Sequence, residues 1–68
     1  MLPVNENFKR LREKSGMTQS EVGKRLLVSA GMINKIESGA ETPSLHLCYK
    51  FTDLMGCPVE SLFNENSE

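Results

Sequence analysis

The sequence contains few aromatic residues and no long apolar run. Tryptophan is absent, and one tyrosine and three phenylalanines are the whole aromatic complement of 68 residues. Aliphatic side chains must therefore supply most of a hydrophobic core, a composition that suits packed helices. No apolar stretch approaches the roughly 20 residues that span a bilayer, and Met1 to Val4 lead straight into charged sequence. We therefore expect a soluble, cytoplasmic protein that does not interact with a membrane.

Cysteine and histidine are also scarce. Cys48 and Cys57 are too few for a disulfide scaffold, and their separation matches neither a zinc-binding pair nor a redox CxxC motif. We expect both to be buried thiols. His46 has no carboxylate or thiol at ligand spacing, so a surface position is expected for it. Because paired catalytic carboxylates and a glycine-rich phosphate loop are missing too, the sequence predicts no metal, no cofactor and no enzymatic activity.

The length and the charge distribution restrict the architecture and the partner. A chain of 68 residues can bury one compact core, so a single domain over residues 1–68 is expected. The net charge of −1 argues mildly against a nucleic-acid partner. However, seven basic and three acidic residues in positions 1–36 leave +4, whereas one basic and six acidic residues in positions 37–68 leave −5. This asymmetry fits a basic front and an acidic back, and it fits ordinary solvated faces equally well.

Residues that start and stop helices divide the chain into five predicted helices. Val4, Phe8 and Leu11 recur at helical spacing, and Thr18 with Glu21 has the form of a capping box. The expected helices run from about Asn5 to Ser15, from the box at Thr18, from Ser29 to Gly39, from Ser44 to Gly56, and from Pro58 onward. We expect an all-α fold with an ordered core at about residues 4–63 and a frayed tail over residues 64–68.

The second and third predicted helices are separated by at most three non-helical residues between Leu26 and Ala30. Such a short turn sets two helices steeply across each other. This geometry allows the first helix to rest on a DNA backbone while the second projects its outer face into the major groove. Gly23, in the middle of the second helix, lowers the stability of that helix by about 1 kcal/mol relative to alanine. We therefore expect the two helices to approach too closely at this position for a side chain.

Short segments between about Phe8 and Phe63 follow one another in a specific order and spacing. They are Leu11-Arg12-Glu13, Gly16-Met17-Thr18-Gln19, Val28-Ser29, Ile33, Ile36-Glu37-Ser38-Gly39, Thr42-Pro43-Ser44-Leu45, Met55-Gly56 and Leu62-Phe63. Together they resemble the Cro and phage-repressor type of helix-turn-helix regulators, also called XRE-like or lambda-repressor-like. The resemblance implies a compact five-helix DNA-binding domain in which helices 2 and 3 form the helix-turn-helix. It also implies a transcriptional regulator, usually a repressor, that binds a palindromic operator in double-stranded DNA as a homodimer.

The same resemblance implies roles for individual residues. It places Ala30, Gly31, Asn34 and Lys35 at base edges, Gln19, Thr18 and Ser29 at backbone phosphates, and Arg12 with Glu37 in an internal ion pair. We expect Glu37 to be structural, since an unpaired carboxylate close to phosphate would be costly. Lys35 is able to reach guanine, Asn34 is able to pair with adenine, and the Ala30 methyl fits a thymine methyl.

Several positions depart from the family pattern. The family often has a long polar residue where Ala30 stands, and a serine or threonine where Gly31 and Met32 stand. The turn often contains glycine in place of Leu27, and basic residues are frequent in place of Ala40 and Glu41. These departures leave a second interpretation open, a protein-interaction module that keeps the fold and binds DNA weakly. The sequence identifies neither a protein partner nor an antirepressor.

Overall fold

Four α-helices and one short 3-10 helix follow one another in a computed structural model that describes residues 4–63. The helices are α1 Val4–Lys14, α2 Gln19–Leu26, α3 Ala30–Ser38 and α4 Leu45–Met55, followed by the 3-10 helix Val59–Leu62. Within residues 4–63 there is no β-strand, and no helix is long and apolar enough to cross a membrane. The predicted all-α class is confirmed, whereas the predicted fifth α-helix is a 3-10 helix of four residues. The tail predicted to fray, residues 64–68, lies outside the described residues.

The helices begin at the predicted capping residues. Thr18 Oγ1 accepts from the backbone N–H of Glu21 at 3.0 Å, and Glu21 Oε1 accepts from the backbone N–H of Thr18 at 2.8 Å. Both halves of the capping box are thus present. The hydroxyl oxygens of Ser29 and Ser44 accept from the backbone N–H three residues later, at 3.0 and 3.1 Å. Local side-chain chemistry therefore determines where α2, α3 and α4 start.

The connection between α2 and α3 is short because α2 ends in a left-handed residue. Leu27 has φ 63° and ψ 40°, and its backbone N–H bonds to the carbonyl of Lys24. A β-carbon on Gly23 would lie 2.7 Å from the carbonyl oxygen of Val28, closer than real contacts allow. The close approach expected at Gly23 is therefore confirmed, and it holds the start of α3 against α2.

The hydrophobic core receives side chains from all four α-helices and from the 3-10 helix. The rings of Phe8 and Phe51 stack with centroids 3.7 Å apart. Cys48 is buried as predicted, and its burial raises the pKa of the thiol. Cys57 was also predicted to be buried, but it is only half-buried because it lies in the turn after α4. The buried apolar residues are Phe8, Val22, Leu26, Ile33, Ile36, Cys48, Phe51 and Leu62.

Two asparagines on α1 attach this helix to distant parts of the chain. Asn7 is fully buried, and its Nδ2 donates to the carbonyl of Leu62 at 2.8 Å. Asn5 Nδ2 donates to the backbone carbonyl of Glu37 at 3.3 Å. The sequence pattern did not predict either contact. α1 is thereby hydrogen-bonded both to the 3-10 helix and to the end of α3.

Candidate nucleic-acid interface

α3 has a buried face and an exposed face. Ile33 and Ile36 have no exposed area, and Glu37 is also buried, so these residues attach the helix to the core. The four residues predicted to face bases all lie on the solvent side of this helix: Ala30, Gly31, Asn34 and Lys35. Their side chains offer an ammonium, a carboxamide and a methyl group. These groups match the acceptors, donors and thymine methyl that base pairs present in the major groove.

The starts of α2 and α3 provide groups that suit phosphate. Thr18 and Ser29 are exposed N-cap residues, and each hydroxyl oxygen accepts a backbone N–H at 3.0 Å. The hydroxyl proton itself is still available for donation. The first turn of α2 also presents backbone N–H groups that find no carbonyl within the helix, and the helix dipole adds partial positive charge there. An anion such as a DNA phosphate is favoured at such a position.

Arg12, which is partly buried, and Glu37, which is buried, form an ion pair that joins α1 to α3. Arg12 Nε donates to Glu37 Oε2 at 2.6 Å, and Arg12 Nη2 donates to Glu37 Oε1 at 3.1 Å. The hydrogen bond to Glu37 raises the pKa of Arg12 above its ordinary value, although burial opposes this effect. Arg12 Nη1 donates in addition to the carbonyl of Met17 at 2.8 Å. One guanidinium therefore connects α1, α3 and the segment that leads into α2.

Gln19, the residue predicted to donate to a phosphate, is bonded within the protein. Its Nε2 donates to Glu37 Oε1 at 3.0 Å. A carboxamide has two N–H bonds, so the second remains for another acceptor. The sequence pattern predicts separate roles for Gln19 and Glu37 and does not predict this contact, because the two residues meet only when α2 packs against α3.

A shallow depression of about 120 Å³ lies at the meeting point of α1, α2 and α3. It is lined by Lys9, Gln19, Asn34, Glu37 and Ser38. It therefore brings one residue predicted to contact phosphate together with one predicted to face a base. Lys9 is exposed, and the sequence pattern predicted no role for it. A signal that could have identified it is its position three residues before Arg12, since residues three apart share a helix face.

Most of the chain matches a family defined by the same motif. The family model described as Helix-turn-helix matches residues 8–62, and the chain belongs to this family. The resemblance to the Cro and phage-repressor type is thereby confirmed. An uncharacterized HTH-type transcriptional regulator of Archaeoglobus fulgidus is 38% identical over 60 residues, covering 88% of this chain and 86% of the relative. Another from Methanocaldococcus jannaschii is 33% identical over 60 residues, covering 88% of this chain and 91% of the relative.

Two solved structures share the fold at low sequence identity. The P22 c2 repressor, in complex with a synthetic operator, superposes with a TM-score of 0.83 at 19% identity and covers 100% of both chains. SinR, a master regulator for biofilm formation in complex with DNA, superposes with a TM-score of 0.81 at 22% identity. This second similarity covers 90% of this chain and 98% of SinR. Both similarities show the fold.

Proposed function

We propose that the chain is a sequence-specific, DNA-binding transcriptional regulator. In its specific form the proposal is a cytoplasmic repressor that binds a palindromic operator as a homodimer. The observation that carries it is the exposed face of α3, a helix held to the core by its opposite face. Further support comes from the relatives, which are named as transcriptional regulators, and from the similar structures, which are complexes with DNA. No enzymatic activity, cofactor or metal is part of the proposal.

In this proposal α3 reads the bases through few groups. The Lys35 ammonium donates to guanine O6 or N7, and the Asn34 carboxamide pairs with adenine N6 and N7. The Ala30 methyl contacts a thymine methyl, and Gly31 allows the backbone to approach the base edges closely. Only two polar side chains per monomer then form hydrogen bonds with bases. Phosphate contacts and the second monomer must therefore supply much of the affinity.

Four residues hold the phosphate backbone in the proposed complex. Thr18 and Ser29 donate their hydroxyl protons, and Gln19 donates its second amide N–H. Lys9 supplies the positive charge, since its exposed side chain lines the same depression as Gln19. Contacts of this type position the protein and contribute no direct sequence information.

Selection of bound sequences from a random duplex pool tests the proposal directly. The expected result is a palindrome with half-sites about one helical turn, or about 34 Å, apart. Sedimentation of the protein with the selected duplex should give two chains per site. A pool that binds with a steep salt dependence but shows no enriched sequence would contradict specific recognition. One chain per site would contradict the homodimer.

Replacement of Lys35 tests the reading face. Lys35→Ala should weaken binding to the selected site by about 1–3 kcal/mol, because one direct base contact is lost, and should relax the preference at that base pair. Fluorescence anisotropy measures the affinity, and circular dichroism verifies the fold. Lys24→Ala, which removes the same charge from an exposed position on α2, is the matched control and should leave base preference unchanged. Unchanged affinity of Lys35→Ala for its site would remove Lys35 from the reading face.

A protein-interaction module with weak DNA affinity is the second candidate function. The observation in its favour is the composition of the exposed surface around α3, where Ala30 and Gly31 lack hydrogen-bonding side chains and Glu41 is acidic. A salt titration of binding to random duplex DNA separates the two functions. A phosphate interface gives a steep negative slope of log affinity against log salt, whereas a flat response favours the protein partner.

A further inference from the structure

Glu37 controls the orientation of the Gln19 side chain. Its Oε1 accepts hydrogen bonds from Gln19 Nε2 at 3.0 Å and from Arg12 Nη2 at 3.1 Å. An ionised carboxylate only accepts, so Gln19 must turn its NH₂ group toward Glu37 and not its carbonyl. The buried ion pair therefore selects one of the two flipped orientations of the Gln19 amide. It also restrains a side chain that would otherwise sample several rotamers.

We propose that Glu37 is a positioning residue for DNA binding, which holds the Gln19 amide so that its second N–H donates to a backbone phosphate. This inference rests on the proposed function, because it needs Gln19 at a phosphate. The Glu37 side chain is 3% exposed, so it acts through Gln19 and does not reach DNA itself. Arg12 compensates its charge at 2.6 Å, which makes a carboxylate tolerable close to a phosphate.

The advantage of this arrangement is that the side chain is ordered before DNA arrives. Immobilising one long side chain at an interface lowers affinity by about two- to tenfold. Gln19 avoids this loss because Glu37 already holds it. Lys9 lines the same depression as Gln19, so a phosphate that reaches the ordered amide also approaches an ammonium. A phosphate at this position would thus meet both the prepositioned amide of Gln19 and the exposed ammonium of Lys9.

A double-mutant cycle measures the coupling between Gln19 and Glu37. Gln19→Ala is made in the natural chain and in the pair variant Arg12→Met with Glu37→Met. The pair variant removes one positive and one negative charge, so the net charge stays at −1 and general attraction to DNA is preserved. Replacing a buried ion pair by apolar residues of similar volume often keeps the fold stable. Affinity for the selected duplex is measured for all four proteins, after circular dichroism has verified that each is folded.

The expected result is that Gln19→Ala weakens DNA binding in the natural chain and has little effect in the pair variant. A coupling of at least threefold between the two changes would support the proposal. Equal losses in both backgrounds would overturn it, since Gln19 would then work without Glu37. A stronger contribution of Gln19 in the pair variant would overturn it as well, because Glu37 would then hold Gln19 away from the phosphate. Failure of the natural chain to bind any duplex would instead count against the proposed function.

A measurement on the natural chain alone makes the test independent of the variants. ¹⁵N relaxation of side-chain amides reports order on the picosecond to nanosecond timescale. Without DNA, the NH₂ group of Gln19 should be nearly as ordered as the backbone of α2. The exposed Asn34 serves as the internal reference and should be mobile. Equal mobility of the two side chains would overturn the proposal even if the protein binds DNA.

Discussion

At the level of single residues, Leu27 combines two unfavourable features. Its φ of 63° lies in the left-handed region, where a β-carbon is crowded, and its side chain is 85% exposed. The left-handed conformation is required here because the chain must turn within three residues to start α3. The geometry of the turn therefore imposes backbone strain on Leu27.

Leu27→Gly should raise the free energy of unfolding by about 0.5–1 kcal/mol. Relief of left-handed strain exceeds the greater backbone entropy that glycine has in the unfolded chain, and little buried area is lost. Urea unfolding followed by circular dichroism measures the change. The control is Lys24→Gly, an exposed position inside α2 with helical geometry, which should lower stability by about 0.5–1 kcal/mol. A less stable Leu27→Gly would mean that this leucine shields apolar surface from water.

At the level of elements, the approach of α2 to the start of α3 depends on the absence of a side chain at Gly23. The backbone carbonyl of Val28 occupies the space that a β-carbon would need. A backbone atom cannot move aside as a flexible side chain can. The position of α3, and with it the whole reading face, is therefore sensitive to one carbon atom on α2.

Gly23→Ala should lower the free energy of unfolding by about 1–3 kcal/mol, because overpacking outweighs the higher helix propensity of alanine. Gly31→Ala is the matched control, since it makes the same change on the exposed face of α3, where the nearest atom lies 3.7 Å away. This control should be neutral or raise stability by up to about 1 kcal/mol. Both changes are followed by thermal unfolding in the absence of DNA. Similar effects of the two substitutions would contradict the close approach at Gly23.

At the level of the whole molecule, the charges follow the order of the chain. The basic residues belong mainly to α1, α2 and α3, whereas the chain after α3 is acidic. Glu41 is exposed in the connection between α3 and α4. If the start of this connection faces DNA, we expect the carboxylate to weaken the complex, since like charges repel. We therefore expect a modest affinity for DNA, because few groups read the bases and because this carboxylate repels phosphate.

Glu41→Lys should raise affinity for all duplex sequences and steepen the slope of log affinity against log salt by about one, since one phosphate contact is added. The matched control is Asp53→Lys on the exposed side of α4, which changes the net charge equally. This control should produce the smaller gain and leave the slope nearly unchanged. Equal gains from both variants would show that net charge alone governs binding and that Glu41 does not face DNA.

Much of the fold was predictable because helix starts depend on neighbouring residues. The capping box at Thr18 needs only Glu21, three residues away, and the stops at Gly39 and Gly56 need only the permissive backbone of glycine. The last element was predicted as an α-helix and is a 3-10 helix. Four residues after Pro58 form too few hydrogen bonds to establish an α-helix, and short segments often adopt the tighter form.

The sequence by itself determined the helix-turn-helix and the exposed face of α3, because periodicity and capping act within one helix. Only the tertiary structure decided that Gln19 is bonded to Glu37, that Asn7 is buried against the carbonyl of Leu62, and that Lys9 lines the depression beside them. These contacts join residues from different helices. Their geometry follows from how α1, α2 and α3 pack, which no local pattern encodes.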